Sequence, residues 1–131
     1  MLPPRHLRFP LALARFRRAL AASAGRYVFL SWSERFPYGL AGSPIGRTVL
    51  PTVFSRDLVV LLGDRDTSDR EREPGATAQG ANRFARGLRF FATATDEAAL
   101  HAPFRWELRI AHGVDHAPAP MVRAALELLR P

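Results

Sequence analysis

Two stretches of hydrophobic residues have the pattern of strands. Residues 57–62 contain five consecutive apolar positions, and a glycine follows them. Such a run predicts a strand that is covered on both faces, as in a parallel sheet with helices on each side. Residues 105–112 alternate instead, with apolar Trp106, Leu108 and Ile110 separated by charged residues. This alternation is typical of a half-exposed strand near a sheet edge.

One helix is predicted before the second strand and one after it. Within residues 79–95, Phe84, Leu88 and Phe91 recur at the spacing of one helical face, which predicts that this face is buried. Phe90 falls outside that face. A proline suited to the first turn of a helix precedes a final apolar stripe. The members of that stripe are Met121, Val122, Ala125, Leu128 and Leu129.

The first part of the chain is less regular. Its first 26 residues are rich in Arg and Ala and free of acids, a composition that transit peptides share. A structural interpretation is preferred, with the end of a helix at 7–16 and a short buried strand at 18–24. Residues 31–56 combine many Gly, Pro and Ser with aromatic residues. They are predicted to be an ordered, lid-like loop, because linkers lack aromatic residues.

The order of these elements predicts the fold class. Strands alternate with helices along the second half of the chain, which favours an α/β fold with a partial parallel sheet flanked by helices. A length of 131 residues allows one domain with one hydrophobic core. We therefore treat residues 1–131 as a single domain that includes the lid-like segment.

The positive charge of the chain comes entirely from arginine. There are 19 basic and 12 acidic residues, for a net charge of +7, and lysine is absent. Because proteins that bind nucleic acid usually mix both cations, codon bias of a GC-rich genome is favoured over a polyanion partner. The absence of cysteine excludes disulfides, thiolate catalysis and Cys-ligated zinc. No apolar run approaches the roughly 18 residues of a membrane span, and a cytoplasmic location is expected.

Chemically useful side chains follow both predicted strands. Asp66 lies in the loop after the first strand, and His116 lies in the loop after the second. The carboxyl ends of parallel strands meet at one edge of a sheet, where ligands bind. An aspartate that accepts the imidazole Nδ1–H leaves Nε2 to take a proton from a nucleophile. In the structural alternative, Asp66 is a solvated acid paired with Arg65 or Arg70, and His116 caps the final helix.

Several segments together carry a resemblance to a known superfamily. They are Leu58-Val-Val-Leu-Leu-Gly-Asp-Arg-Asp-Thr67, Gly113-Val-Asp-His116, and residues 79–87, 22–27 and 36–39. The first two resemble the acid segment and the Gly-x-x-His loop of the α/β-hydrolase superfamily. The others are similar to the crossover helix, and to the segment after the nucleophile helix, of its bacterial esterase-like members. The resemblance covers about residues 18–131, which correspond to the C-terminal half of such a fold.

The resemblance implies a role for each candidate. Asp66 is the last position of the Gly-x-x-Asp form and would be the triad acid, and His116 would be the triad base. No Gly-x-Ser-x-Gly elbow is present, and Gly42-Ser43-Pro-Ile-Gly46 has the wrong offset. We expect the C-terminal part of an esterase-type serine hydrolase that lacks the nucleophile and is inactive alone. An N-terminal half would complete it for a small-molecule ester substrate.

Several alternatives stay open at this stage. The chain would be a fragment, a product of a mis-called start, or a remnant that has lost activity. A non-enzymatic basic module that binds polyanions is the second functional hypothesis. His101 and His112 are interpreted as structural or exposed. No cofactor is expected. No metal is expected either, because Asp64, Asp66 and Asp69 lack the Gly and closing Glu spacing of a calcium loop.

Overall fold

The chain forms a parallel sheet with helices on both faces. A computed structural model describes residues 18–22, 24–68, 73–101 and 103–130. Strands β1 (Arg18–Ala22), β2 (Asp57–Gly63) and β3 (Trp106–Ala111) form a three-stranded sheet in the order β1-β2-β3. Both pairings are parallel, which confirms the predicted α/β class. The helix predicted at 7–16 lies outside the described residues.

The central strand is β2, as its continuous apolar run requires. All of its residues except the first are buried, because neighbours cover both edges and helices cover both faces. In β3, Trp106 and Ala111 are buried while Glu107 and Arg109 are exposed. This confirms a half-exposed strand at an edge of the three-stranded sheet.

The register of β2 and β3 determines which loop residues meet. Leu58 is paired with Trp106 at one end of the ladder, and Gly63 is paired with Ala111 at the other. The next residue on each strand, Asp64 and His112, continues that register by one position. The carboxyl ends of both strands therefore begin their loops side by side.

The described helices differ in part from those predicted. They are α1 (Val49–Ser55), α2 (Pro74–Gln79), α3 (Arg83–Ala98) and α4 (Pro118–Leu129). Helix α1 lies inside the segment 31–56, which was predicted to be a loop throughout. The helix predicted at 79–95 begins later, because Asn82 caps α3 by accepting a hydrogen bond from the Ala85 backbone N–H at 2.8 Å.

The buried face of α3 differs in part from the predicted one. Phe84 and Phe91 are half-buried and pack against the core, as predicted. Leu88 is 37 % exposed, whereas Phe90 is 1 % exposed, so the prediction was wrong at these two positions. The true inner face also contains Gly87, Ala94 and Ala98. A Cβ at position 87 would overlap the side chain of Leu62 in β2. Small residues therefore let α3 lie close to the sheet, and this rotates Phe90 into the core.

The principal hydrophobic core lies on the α1 and α3 side of the sheet. The Phe90 ring stacks on Tyr27 at 4.5 Å between ring centroids and lies 5.8 Å from Trp106. The Trp106 indole also donates to the Val53 carbonyl oxygen of α1 at 3.1 Å. The loop aromatics Trp32 and Phe36 pack against this core, which orders the segment before α1.

The opposite face of the sheet is covered by α4. Met121 packs with Leu61 and Ala111 in a second, smaller core. Val122 and Leu129, which were predicted to be in the buried stripe, are 53 % and 48 % exposed. Within the described parts of the chain, none of the helices has the length and apolar character needed to cross a bilayer.

Candidate active site

Two loops lie against each other at the carboxyl ends of β2 and β3. We call them the Asp66 loop (residues 63–68) and the His116 loop (residues 112–117). The Arg65 backbone N–H donates to the Val114 carbonyl oxygen at 3.0 Å. A Cβ at position 63 would overlap that same oxygen, so only glycine permits this approach of the two backbones. The loops are thus held together by main-chain contacts as well as by side chains.

The structure brings Asp66 and His116 together. Nδ1 of His116 lies 3.2 Å from Oδ2 of Asp66. The Asp66 side chain is only 3 % exposed, whereas the His116 side chain is 54 % exposed. Because Nδ1 faces the carboxylate, this arrangement favours the Nδ1–H tautomer, in which Nε2 keeps its free lone pair.

The surroundings of Asp66 fix its position. Its backbone N–H donates to Gly63 at 3.1 Å, and its carbonyl oxygen accepts the Phe84 N–H, also at 3.1 Å. Among the described residues, none donates a hydrogen bond to the buried Oδ1. Arg83 Nη1 lies 3.9 Å from this oxygen. The loop acid is therefore buried beside an arginine of α3, and not solvated in a pair with Arg65.

The negative charge of Asp66 extends to the core side of the site. Burial, followed by the nearby Asp66 carboxylate, raises the pKa of Tyr27 to about 12. Both effects disfavour the phenolate, because it is poorly solvated and carries the same sign of charge as Asp66. Tyr27 therefore stays neutral at physiological pH.

A cavity of about 380 Å³ opens beside the Asp66–His116 pair. Its lining is mainly polar and consists of Arg65, Asp66, Ser68, Arg83, Asp115, His116 and Ala117. The described parts of the chain contain no group of three or more His, Asp or Glu side chains that could hold a metal ion. The cavity places His116 where a small polar group could reach its ring.

A second Asp–His pair lies on the same two loops. His112 Nδ1 is 3.0 Å from Asp64 Oδ2, and the Gly113 backbone N–H donates to Asp64 Oδ1 at 2.7 Å. These two hydrogen bonds, the imidazole one first, hold the pKa of Asp64 below its usual range. His112 was expected to be structural or exposed, and its side chain is 84 % exposed, whereas no role was expected for Asp64. Both residues directly follow Gly63 and Ala111, which are paired in the sheet, so the strand register brings Asp64 and His112 together.

The other sequence candidates lie away from this edge. Ser43 Oγ accepts a hydrogen bond from the Ile45 N–H at 3.3 Å, within the irregular segment that precedes α1. Ser43 therefore does not lie on a strand-to-helix turn. His101 lies just after α3 and contacts Glu97 at 3.5 Å. Arg70, proposed as a partner of Asp66, is outside the described residues, as is Asp69.

Two solved hydrolase structures are similar to this chain. Poly(aspartic acid) hydrolase-1 from Sphingomonas sp. KT-1 matches with a TM-score of 0.85 and 35 % identity over 95 % of the chain. A poly(3-hydroxybutyrate) depolymerase from Bordetella parapertussis matches with a TM-score of 0.82 and 27 % identity over 91 % of the chain. The chain spans 49 % of the first protein and 43 % of the second.

The other comparisons found no match. No protein-family profile matches the chain, and no curated protein matches it. Each of the two solved hydrolases is matched over about half of its length.

Proposed function

We propose that Asp66 and His116 are the acid and the base of a serine hydrolase. The premise is that this chain corresponds to the C-terminal part of the α/β-hydrolase superfamily fold. The observation that carries the proposal is the 3.2 Å contact between His116 Nδ1 and a carboxylate that is only 3 % exposed. A buried carboxylate holds an imidazole more firmly than a solvated one, because water competes less for its oxygens.

In the proposed reaction, His116 carries the proton. A serine of the complementary part of the domain attacks the acyl carbonyl carbon, and Nε2 of His116 takes the hydroxyl proton. When the carbon–oxygen bond to the leaving alcohol breaks, Nε2 gives that proton to the alcohol. In the second half, Nε2 takes a proton from water as the water attacks the acyl-enzyme, and returns it to the serine. Donors to the oxyanion would also belong to the complementary part.

Asp66 supports each of these steps without giving up its own charge. Its Oδ2 holds the Nδ1–H tautomer and stabilises the imidazolium that forms during each proton transfer. Arg83, 3.9 Å from the other oxygen, offsets part of the cost of burying this carboxylate. Arg83 thus places a positive charge near the carboxylate that contacts His116.

A carboxylic ester is the proposed substrate class. The name of the Bordetella neighbour refers to a polyester and that of the Sphingomonas neighbour to a polymer of aspartic acid. Both polymers contain acyl groups that a serine hydrolase can transfer to water. A small ester, or one ester unit of a polymer, would place its carbonyl carbon at the serine hydroxyl and its leaving alcohol oxygen near Nε2 of His116, next to the cavity.

A chimera tests this proposal. Residues 18–130 of this chain replace the matching half of poly(aspartic acid) hydrolase-1, and hydrolysis of a p-nitrophenyl ester is measured. We expect turnover that falls roughly 10⁴-fold in His116→Ala. His112→Ala, on the same loop, serves as the matched control and should retain most of the activity.

Two results would contradict the proposal. One is a folded, active chimera in which His116→Ala has no effect on turnover. The other is ester hydrolysis by the chain alone that His116→Ala abolishes, which would support His116 as the base but would contradict a serine supplied by the complementary part.

The second candidate function is a basic module that binds polyanions. The acid-free beginning and the net charge of +7 favour it. Several described arginines are already paired, among them Arg105 with Asp57 at 2.8 Å and Arg109 with Glu107 at 2.9 Å, which weakens any single basic patch. Salt-dependent retention on heparin tests this function, and no retention at low salt would exclude it.

A further inference from the structure

The Asp64 side chain makes two contacts with the start of the His116 loop. Asp64 Oδ1 accepts the Gly113 N–H at 2.7 Å, and its Oδ2 contacts His112 Nδ1 at 3.0 Å. Both contacts come at the start of the loop, before the chain reaches His116. A single carboxylate therefore binds the backbone and the first side chain of the loop that carries the proposed base.

Asp64 is itself held in a fixed place. It follows the last residue of β2, and its own N–H donates to the Ala111 carbonyl oxygen at 3.3 Å. Only one residue separates it from Asp66. Asp64 and Asp66 therefore lie close together on the same loop, and a group held by Asp64 lies near Asp66.

The chemistry of Asp64 suits such a fastening. Its lowered pKa keeps it ionised at neutral pH, and an ionised carboxylate makes stronger hydrogen bonds to N–H groups than a neutral acceptor does. Gly113 adopts a φ of +76°, a conformation that glycine tolerates best. In this conformation the Gly113 N–H points at Asp64 Oδ1 and donates a hydrogen bond to it.

We propose that Asp64 is a positioning residue that fastens the His116 loop to the Asp66 loop and so keeps the His116 imidazole on Asp66. The inference rests on the proposed function, because only an acid–base pair needs its imidazole held in a set position on Asp66. Asp64 acts through the Gly113 N–H and does not touch the reacting groups. His112 contributes less, because its ring is 84 % exposed and water competes for its hydrogen bond.

Nuclear magnetic resonance on the chain itself tests the proposal. The four histidines are labelled with ¹⁵N, and the two ring nitrogens of His116 report its tautomer. In the unaltered chain we expect the Nδ1–H form. In Asp64→Ala we expect that signature to be lost, with shifts typical of a free imidazole. Asp64→Asn keeps an acceptor for the Gly113 N–H and should restore the signature.

Asp57→Ala is the matched control. Asp57 also joins β2 to the residue flanking β3, through Arg105 at 2.8 Å, but at the opposite end of the strands. Its removal should leave the His116 signals unchanged. His112→Ala should also leave them in place, because the bond to Gly113 remains.

Certain outcomes would overturn the proposal. In one, Asp64→Ala folds and leaves the His116 signature intact while Asp66→Asn removes it. In another, His112→Ala abolishes the signature as fully as Asp64→Ala does.

If Asp64→Ala does not fold, exchange of the Gly113 amide hydrogen with solvent tests the proposal. We expect slow exchange in the unaltered chain and fast exchange in Asp64→Ser. Equal exchange rates would refute the proposal. The tautomer is read without ester hydrolysis, so an inactive chimera with a normal signature counts only against the proposed function.

Discussion

Two Asp–His pairs lie on the same two loops and differ chiefly in burial. The Asp66 carboxylate is 3 % exposed and the Asp64 carboxylate 33 %, while their histidines are 54 % and 84 % exposed. The Nδ1–Oδ2 distances are similar, 3.2 Å and 3.0 Å. Distance alone therefore does not separate a pair suited to proton transfer from one suited to fastening.

The partners of each carboxylate explain the difference. Asp64 uses both oxygens on the His116 loop, one on a backbone N–H and one on a ring. Asp66 directs one oxygen at His116 and keeps the other buried, near Arg83. A carboxylate that is sheltered from water keeps a strong preference for a nearby cation, as an imidazolium formed during catalysis requires. We infer that the surroundings assign the two aspartates different tasks.

The largest expected effect separates the two aspartates in the chimera. Asp66→Asn should lower kcat roughly 10⁴-fold, because an amide cannot stabilise the imidazolium or fix its tautomer. Asp64→Asn keeps the bond to Gly113 and should change kcat by less than about threefold, well below the effect of a misplaced base. Steady-state kinetics on a p-nitrophenyl ester measures both, and equal losses would erase the distinction between the pairs.

A substitution at Gly63 should disturb both pairs at once. The Cβ of Gly63→Ala would overlap the Val114 carbonyl oxygen, and a backbone atom cannot move aside cheaply. We expect the free energy of unfolding to fall by about 3 kcal/mol, together with loss of the His116 tautomer signature. Thermal unfolding measures the first effect. A variant as stable as the unaltered chain would show that the loops do not meet at this point.

The pKa of Tyr27 offers a way to detect the charge of Asp66 separately from that of Asp64. Burial, followed by the Asp66 charge, raises the pKa of Tyr27 from its ordinary value of 10.0 to about 12, so the folded state holds the phenol proton more tightly than the unfolded state. The resulting stability is fully present below pH 10 and is lost as the pH rises towards 12. It amounts to about 2 kcal/mol, allowing for partial exposure.

The same phenol should distinguish the aspartates. Asp66→Asn removes the like charge and should lower the pKa of Tyr27, whereas Asp64→Asn should not change it. Tyrosinate absorbance measures the titration in a Tyr38→Phe background, because the hydrogen bond from Tyr38 to Glu73 raises the pKa of that second phenol. Equal titration curves for both variants would mean that Asp66 carries no charge near Tyr27.

The smallest effect compares two glycines of the same backbone conformation. Gly113 and Gly42 both have φ of +76°, and a Cβ at either would meet no atom within 4 Å. Replacement by Ala should therefore cost about 1 kcal/mol of stability at each position. Only Gly113→Ala should alter the bond to Asp64, which amide exchange at residue 113 measures. If Gly42→Ala had the same effect on that exchange, the change would reflect global opening.

The sequence predicted those features that depend on local pattern. The apolar run of β2 and the alternation of β3 determined the parallel sheet, because burial on both faces or on one face leaves a direct mark on residue order. The positions of Asp66 and His116 after those strands followed, since the carboxyl ends of parallel strands meet. Their proposed roles came from the resemblance and stay a proposal.

Features that depend on close approach between elements were not predicted. The inner face of α3 is selected by Gly87 fitting against Leu62, whereas the pattern gave more weight to the larger Leu88. Helix α1 was missed because Val49–Ser55 follows a region rich in turn-forming residues. The Asp64–His112 contact needs the register of β2 on β3, which sequence periodicity alone leaves undetermined.

The alignment of β3 along β2 makes the proposed chemistry sensitive to mispaired strands. A shift of one residue would turn Trp106 away from the core, and stability would penalise it at once. A shift of two would keep that ring inward but would bring Ile110 or Val114 opposite Asp64 in place of His112. Such a molecule could stay compact while its acid and base never met. Activity restored after refolding would therefore count only the molecules whose strands had aligned correctly.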